Sequence, residues 1–412
     1  MRYASLAVLA VTLVGSGLFA YGVHQAGKRA EITHGPRVRE ITPQMLSTAD
    51  EQAAPPKLDT PTAVASVDPG IVPQASVAGA QFGIAAGGAL GYLGQSDLDK
   101  YFADLSALGA KWVRWDLDWN IVQPSGPTAY QWEAIDRVQA TAEKNGVQSL
   151  AILTYTPPWA RQSACSDNPH CAPADPAAFG RFAGAAAGRY KGRINYWEVW
   201  NEPNFTFFWL PQPNVSSYIS VLRSAHSNIK AANSSATVLS GGLAASGDEP
   251  DGSIAPITFI RALYTQQAQG SFDAVSLHPY TFPAVPSYQA WWNRWQQIDP
   301  IRNLMVASGD ANKKVWLTEF GAPTGGPGQT YAANQLEDFT YGQDFMGEAA
   351  QQTLLQEAAK AYQDRIDWMG PFFWYSLKDE GQGRSDPENF FGLLRYDGSK
   401  KPAYTTYQNL IK

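Results

Sequence analysis

From about Gln81 onward, short apolar or β-branched runs alternate with longer amphipathic runs, the pattern of repeated strand–helix units. The spacing predicts strands at Phe82–Ala86, Trp112–Asp116, Ser149–Thr154, Tyr196–Trp200, Thr237–Ser240, Ala274–Leu277, Val315–Thr318 and Phe372–Ser376. Helices are predicted at Asp97–Leu108, Trp132–Lys144, Pro176–Tyr190, Val215–Ala232, Ile257–Gln269, Tyr288–Ser308, Ala349–Trp368 and Tyr404–Ile411. Ser96 reads as an N-cap, and Gly109, Asn145-Gly146 and Gly192 read as stops. Eight strands and eight helices in strict alternation imply an α/β fold, a (β/α)8 barrel. The span of about 330 residues exceeds a minimal barrel, so several strand-to-helix loops must be long. They are Pro157–Asp175, Phe205–Asn214, Leu243–Ala255, Phe320–Gly347 and Lys378–Leu394. The rival open doubly wound sheet would carry a Gly-rich phosphate turn after the first strand. Phe82 to Gly88 lacks the G-x-G-x-x-G order.

The N-terminus has a different pattern. Ala4 to Val23 carries no charge, with Arg2 before it and Lys28-Arg29 after it. About 20 apolar residues span a bilayer as a helix. Leu18-Phe19-Ala20 has a large residue where a signal peptidase prefers a small one, which favours an uncleaved anchor; a cleaved signal peptide is the alternative. Pro36, Pro43, Pro55, Pro56, Pro61, Pro69 and Pro73 then punctuate a stretch without apolar periodicity, which reads as a tether. The expected organisation is a signal anchor or signal peptide over 1–24, a linker over 25–78 and a catalytic domain over 79–412. The bulk of the chain is expected outside the cytoplasm, membrane-anchored or secreted.

Composition narrows the partners. The net charge of −6 argues against a nucleic-acid binder, which needs a basic face to displace counterions. Aromatic content of 12% with only 17% charged residues suits stacking on flat, uncharged sugar rings, although aromatics also fill cores. Two cysteines exclude a multi-thiolate zinc site. Cys165 and Cys171 flank a turn-rich stretch and would close a short disulfide loop in an oxidising compartment; two free thiols, or half a metal site with His170, are the alternatives.

In a barrel the functional groups belong at the C-terminal ends of the strands. Those ends read R-W-D-L-D-W (Arg114, Asp116, Asp118, Trp119), T-Y-T-P-P-W (Tyr155, Trp159), W-E-V-W-N-E-P-N (Asn201, Glu202, Asn204), S-L-H-P-Y (His278, Tyr280), W-L-T-E-F-G (Glu319) and F-W-Y-S-L-K-D (Trp374, Lys378, Asp379). Glu202 and Glu319, from strands four and seven, are the best acid/base pair in the chain. Such a pair suits glycoside hydrolysis, where one carboxylic acid protonates a leaving oxygen and the other carboxylate attacks or activates water. Asn201 can hydrogen-bond a sugar 2-hydroxyl, Tyr280 can orient Glu319, Arg114 can keep it ionised, and Trp374 can form the floor under a sugar ring.

The W-N-E-P-N and W-L-T-E-F-G segments on an eightfold strand–helix chain resemble the clan A glycoside hydrolases. E-V-W-N-E-P-N and S-L-H-P-Y look closest to glycoside hydrolase family 39 and its exopolysaccharide-cleaving relatives, with family 5 the runner-up. The resemblance covers about residues 80–412. It implies Glu202 as acid/base, Glu319 as nucleophile, a supporting shell of Arg114, Asn201, His278, Tyr280 and Trp374, and a retaining mechanism. Tyr155 and Trp159 stand where family 5 has a histidine, which weakens any transfer of cellulase specificity. No cofactor or metal is required.

Bland alternatives stand beside each assignment. Arg114 could pair with Asp116 or Asp118, His278 could be a satisfied structural histidine, and Trp374 could be plain core. Asp116, Asp118, Lys378 and Asp379 could line sugar subsites or be surface charge. Trp291, Trp292 and Trp295 could pack helix six or form a stacking platform at its start. The function expected is a retaining β-glycosidase acting on a polysaccharide or oligosaccharide, endo-acting because of the long loops, and working as a monomer. A transglycosylase remodelling a cell-surface glycan and a catalytically weak carbohydrate-binding protein are the competing expectations.

Overall fold

The computed structural model describes residues 81–412. The predicted anchor and linker lie outside the described residues. Eight parallel strands close a barrel: β1 (Phe82–Ala85), β2 (Trp112–Asp118), β3 (Gln148–Thr154), β4 (Tyr196–Val199), β5 (Thr237–Leu239), β6 (Ala274–Leu277), β7 (Lys314–Phe320) and β8 (Met369–Tyr375). Each pairs with the next in chain order, and β8 closes on β1 with Phe82 opposite Phe372 and Ala85 opposite Tyr375. The outer ring is α1 (Gln95–Leu108), α2 (Glu133–Lys144), α3 (Pro176–Arg189), α4 (Val215–Ala232), α5 (Pro256–Thr265), α6 (Ile298–Ala307), α7 (Glu348–Gln363) and α8 (Pro402–Leu410). The (β/α)8 prediction therefore holds, and the five long loops all lie between strands and helices.

Strand periodicity sorts the barrel into two cores. On β2, Val113, Trp115 and Leu117 face the helices in the main core. Trp112 faces inward and joins Ala85, Leu150, Leu239, Ala274, Trp316 and Phe373 in a separate cluster that plugs the barrel. Gly83 makes room for this plug, because a Cβ there would lie 2.6 Å from the Phe373 ring and 2.7 Å from Trp112 Cβ. Beyond the plug, toward the strand C-termini, the inward positions turn polar. That change of character marks the functional end.

Two predicted helices differ. α1 begins at Gln95 after Gly94 without a side-chain cap, so Ser96 lies inside the helix and is not its cap. Tyr288–Asn293 is irregular, and a 3₁₀ turn over Arg294–Gln297 leads into α6. Asn293 accepts a hydrogen bond from the Trp295 amide (3.0 Å) and donates to the Tyr288 carbonyl (2.8 Å), which competes with helical bonding. Pro300 has no N–H to extend a helix backward past it. Trp291, Trp292 and Trp295 consequently do not share a helix face: Trp295 packs on Phe320 at 5.0 Å, Trp292 stacks on Tyr288 at 6.0 Å, and Trp291 is 85% exposed.

Phe82 packs edge-on against Tyr362, Phe372 and Tyr407, where β1 meets the last two helices and closes the barrel. Phe82→Ala is expected to destabilise the domain by about 3–5 kcal/mol. Urea unfolding of the two proteins measures it; a loss under about 1 kcal/mol would mean that the closure does not rest on this ring.

Candidate active site

Two local departures from regular strand geometry aim the glutamates into the barrel mouth. On β7, Leu317 pairs with Phe372 and Phe320 pairs with Trp374, so β7 advances three residues while β8 advances two. This bulge turns Glu319 inward, whereas Phe320 packs outward on Trp374. At the end of β4, Trp200 (φ 75°) and Glu202 (φ 47°) adopt the left-handed conformation. Each such residue costs on the order of 1–3 kcal/mol, and the surroundings must hold it. Trp200 donates its amide to the Leu153 carbonyl (3.1 Å) and its indole N–H to the Phe208 carbonyl (2.7 Å), while the Glu202 amide donates to the Gly242 carbonyl (2.9 Å).

Arg114 organises what these devices bring together. It is fully buried. Its Nε donates to Glu198 Oε2 (3.0 Å) and its second terminal nitrogen to Glu198 Oε1 (2.9 Å), a two-pronged pair. The same nitrogen donates to Asn201 Oδ1 (2.8 Å), and the other terminal nitrogen donates to Glu319 Oε1. Glu198 also accepts the Gly242 amide at 2.8 Å. Gly242 has to be glycine for this packing, because a Cβ would lie 2.1 Å from His278 Nε2 and 2.7 Å from Glu198 Oε1. His278, also fully buried, has Nδ1 2.9 Å from Glu202 Oε1 and 3.7 Å from Glu319 Oε2, with Nε2 3.1 Å from the Thr318 hydroxyl. The Tyr280 hydroxyl donates to Glu319 Oε2 at 2.8 Å.

These contacts separate the two acids electrostatically. Burial pushes the Glu202 carboxyl above its usual range, against the pull of His278, and the neighbouring Glu319 charge pushes the same way. Burial also acts to raise Glu319, but His278, Arg114 and the Tyr280 hydrogen bond outweigh it and hold that carboxyl below its usual range. Burial and the Glu319 charge drive the Tyr280 hydroxyl well above its ordinary value, so it remains a donor. One oxygen of Glu202, one oxygen of Glu319 and a His278 ring nitrogen lie within 4.8 Å of one another. That spacing could also hold a metal ion, but Arg114 and Tyr280 already direct N–H and O–H groups at Glu319.

The cluster thus gathers Arg114, Asn201, Glu202, His278, Tyr280 and Glu319. The salt bridge considered between Arg114 and its strand neighbours does not form; the partners are Glu198 and Glu319. Tyr155 lies between His170 (4.6 Å) and Trp200 (5.8 Å) and senses the charges of Asp116, Asp118 and Glu319. Cys165 and Cys171 are joined in a disulfide in the loop that carries His170. Trp159 stands apart, its ring on Trp119 at 5.4 Å and its N–H on the Gln123 carbonyl at 2.7 Å.

Trp374 corrects the sequence prediction. It is fully buried among outward-facing core residues and cannot lie under a sugar ring. Alternation along β8 points Phe373 and Tyr375 inward instead, and the Tyr375 hydroxyl donates to Glu388 Oε2 at 3.1 Å. Lys378 stacks its ammonium on Tyr396 at 5.4 Å, and Asp379 is buried against Lys401, so neither faces the glutamates. Glu198 escaped the sequence reading although its signal was present. It lies inside E-V-W-N-E, four residues before Glu202, at an interior strand position where a charge demands a buried partner.

No family model and no curated protein matches the chain. Solved structures do resemble it. A family 39 glycoside hydrolase from Bacteroides cellulosilyticus superposes with a TM-score of 0.60 at 22% identity, covering 82% of this chain and 65% of that one. A monomeric β-xylosidase from Caulobacter crescentus gives 0.60 at 16% identity, covering 81% and 68%. A family 39 enzyme from Xanthomonas axonopodis pv. citri gives 0.58 at 16%, covering 82% and 71%. At these identities the likeness is one of fold, and the chain spans 65–71% of the length of these three proteins. The fold likeness to these proteins spans the barrel.

Replacing Glu319 by Gln removes a negative charge beside Glu202, so the Glu202 pKa is expected to fall. Carbon-13 NMR titration of labelled glutamates in the wild type and Glu319→Gln reads this directly. An unchanged Glu202 pKa would refute the proposed coupling.

Proposed function

We propose that this chain is a retaining β-glycosidase. The observation that carries the reading is the unequal treatment of two facing carboxyls. Glu319 is held below its usual range by His278, Arg114 and Tyr280, while Glu202, with an oxygen within 4.8 Å, is pushed by burial toward its protonated form. This separation suits the roughly 5–5.5 Å between carboxyl groups that direct attack requires, leaving no room for an intervening water.

Glu202 donates its proton to the glycosidic oxygen as the Glu319 carboxylate bonds to the anomeric carbon. The aglycone departs as an alcohol and the sugar remains as a glycosyl ester. Esterification removes the Glu319 charge, so Glu202 holds its next proton less tightly and stays ionised. It then takes a proton from water, whose oxygen attacks the anomeric carbon, and both carboxyls return to their starting states. Asn201, anchored through Oδ1 to Arg114, keeps its amide N–H groups for an acceptor oxygen of the sugar. Tyr375 takes the sugar-facing position first assigned to Trp374.

The long loops support action on a polysaccharide within the chain rather than at its end. The fold likeness to family 39 proteins supports a carbohydrate substrate. The uncharged N-terminal run and the disulfide support an extracytoplasmic location.

Kinetics with sodium azide separate the two roles. Glu202→Ala is expected to lose about 10²–10⁴-fold on substrates with poor leaving groups, to lose far less on activated aryl glycosides, and to yield β-glycosyl azide. Glu319→Ala is expected to lose turnover on both and to yield α-glycosyl azide. The same azide anomer from both variants, or full turnover by Glu319→Ala, would overturn the reading.

A further inference from the structure

One charged group in the barrel mouth is left over by the proposed chemistry. Asp116 follows Arg114 by two residues on β2, so it faces inward one step nearer the strand C-terminus. It is only 7% exposed. Among the described residues its carboxylate accepts no hydrogen bond and forms no ion pair, whereas nearly all buried carboxylates do one or the other. Its surroundings include Arg114, Asp118, Glu198 and Glu319, so three of these four charged neighbours carry its own sign.

The local cations are already committed. Arg114 is shared among Glu198, Asn201 and Glu319. Arg161, on the loop after β3, donates to the Thr156 carbonyl (2.7 Å), the Ser166 carbonyl (3.0 Å) and Asn120 Oδ1 (3.0 Å). Asp118 differs from Asp116 in being satisfied. It accepts from the Tyr92 hydroxyl at 2.9 Å and from the Asn120 backbone and side chain at 2.7 and 2.9 Å. Across the mouth, Glu388 adds a further acid whose carboxylate, among the described residues, bonds to Tyr375 alone. Gly88 lies close against the same carboxylate, where a Cβ would come within 3.1 Å of Asp116 Oδ2, so no side chain from that position covers it.

A buried carboxylate without a partner is costly, and the cost is recovered only when a donor arrives. A neutral hydroxyl recovers part of it. A cationic donor recovers more, because it also offsets the surplus of negative charge around it. We propose that Asp116 is a specificity-determining residue that receives the free ammonium group of an amino sugar bound next to Glu319, so that the glycone is a deacetylated hexosamine. The proposal rests on the glycosidase reading and adds the chemical class of its sugar. Burial holds the Asp116 carboxyl up to about 7, as expected of a site whose counter-charge comes with the ligand.

The test uses 4-nitrophenyl β-glycosides in three forms, 2-amino, 2-acetamido and 2-hydroxy, in both the gluco and galacto series. The 2-amino form of one series is expected to exceed its two counterparts by about tenfold or more in kcat/KM. In Asp116→Asn that ratio is expected to collapse to within about twofold. Binding is read separately as the rise in Tm produced by free glucosamine or galactosamine against their N-acetyl forms. The rise is expected for the free amines with the wild-type chain and not with Asp116→Asn. Cleavage of all three forms without preference would overturn the amino-sugar assignment and leave the glycosidase reading standing. A preference that survives in Asp116→Asn would remove Asp116 from the role. No cleavage of any of these glycosides or of oligosaccharides of the same sugars, with no Tm shift, would overturn both.

Discussion

Everything at the mouth of this barrel depends on where the Arg114 guanidinium finds its counter-charges. It is fully buried, and an isolated charge in such a place is untenable. Glu198 answers it with both oxygens from β4, and Glu319 answers it from β7. One side chain thereby ties β2 to strands on two sides of the closed sheet. The two-pronged pair with Glu198 neutralises the arginine and fixes its plane, leaving the remaining nitrogen pointed at Glu319. His278 and that nitrogen hold the Glu319 carboxyl below its usual range, while burial, with the Glu319 charge adding to it, pushes the Glu202 carboxyl above its own. Two chemically identical side chains are so shifted in opposite directions.

The same geometry requires backbone irregularity. A regular β7 would turn Glu319 toward the helices, and a regular end to β4 would carry Glu202 away from it. The bulge before Phe320 and the left-handed residues Trp200 and Glu202 correct both aims. The hydrogen bonds that pin Trp200 on either side and the Glu202 amide on Gly242 offset the cost of the left-handed pair. Gly242 completes the fit by letting a neighbouring backbone lie against both His278 and Glu198.

The fold was legible in the sequence because parallel barrel strands are buried on both faces and stand out as apolar runs between amphipathic ones. Six clustered residues, the two glutamates among them, were legible because inward-facing polar groups at barrel strand ends line its mouth. Failures occurred where a one-residue shift decides direction. Trp374 and Tyr375 are adjacent aromatics on one strand, and composition cannot say which faces in; the pairing with Phe320 decides it. Glu198 was overlooked because it lies before the strand end, where interior charges are rare. The helix assumed over Tyr288–Ser308 failed because Asn293 and Pro300 interrupt it locally, although the apolar spacing continues across both. The anchor and linker, read from residues 1–78, lie outside the described residues.

The central claim is that Arg114 singles out Glu319 as the carboxylate that bonds to the sugar. Incubating the chain with activated 5-fluoro β-glycosides of several sugars and oligosaccharides, each keeping its C2 substituent, then reading intact mass and the labelled peptide, tests it most directly. The account predicts a single glycosyl adduct, carried by the peptide that contains Glu319. An adduct on the peptide containing Glu202, or steady turnover of a substrate by a chain that none of these reagents labels or inactivates, would contradict it.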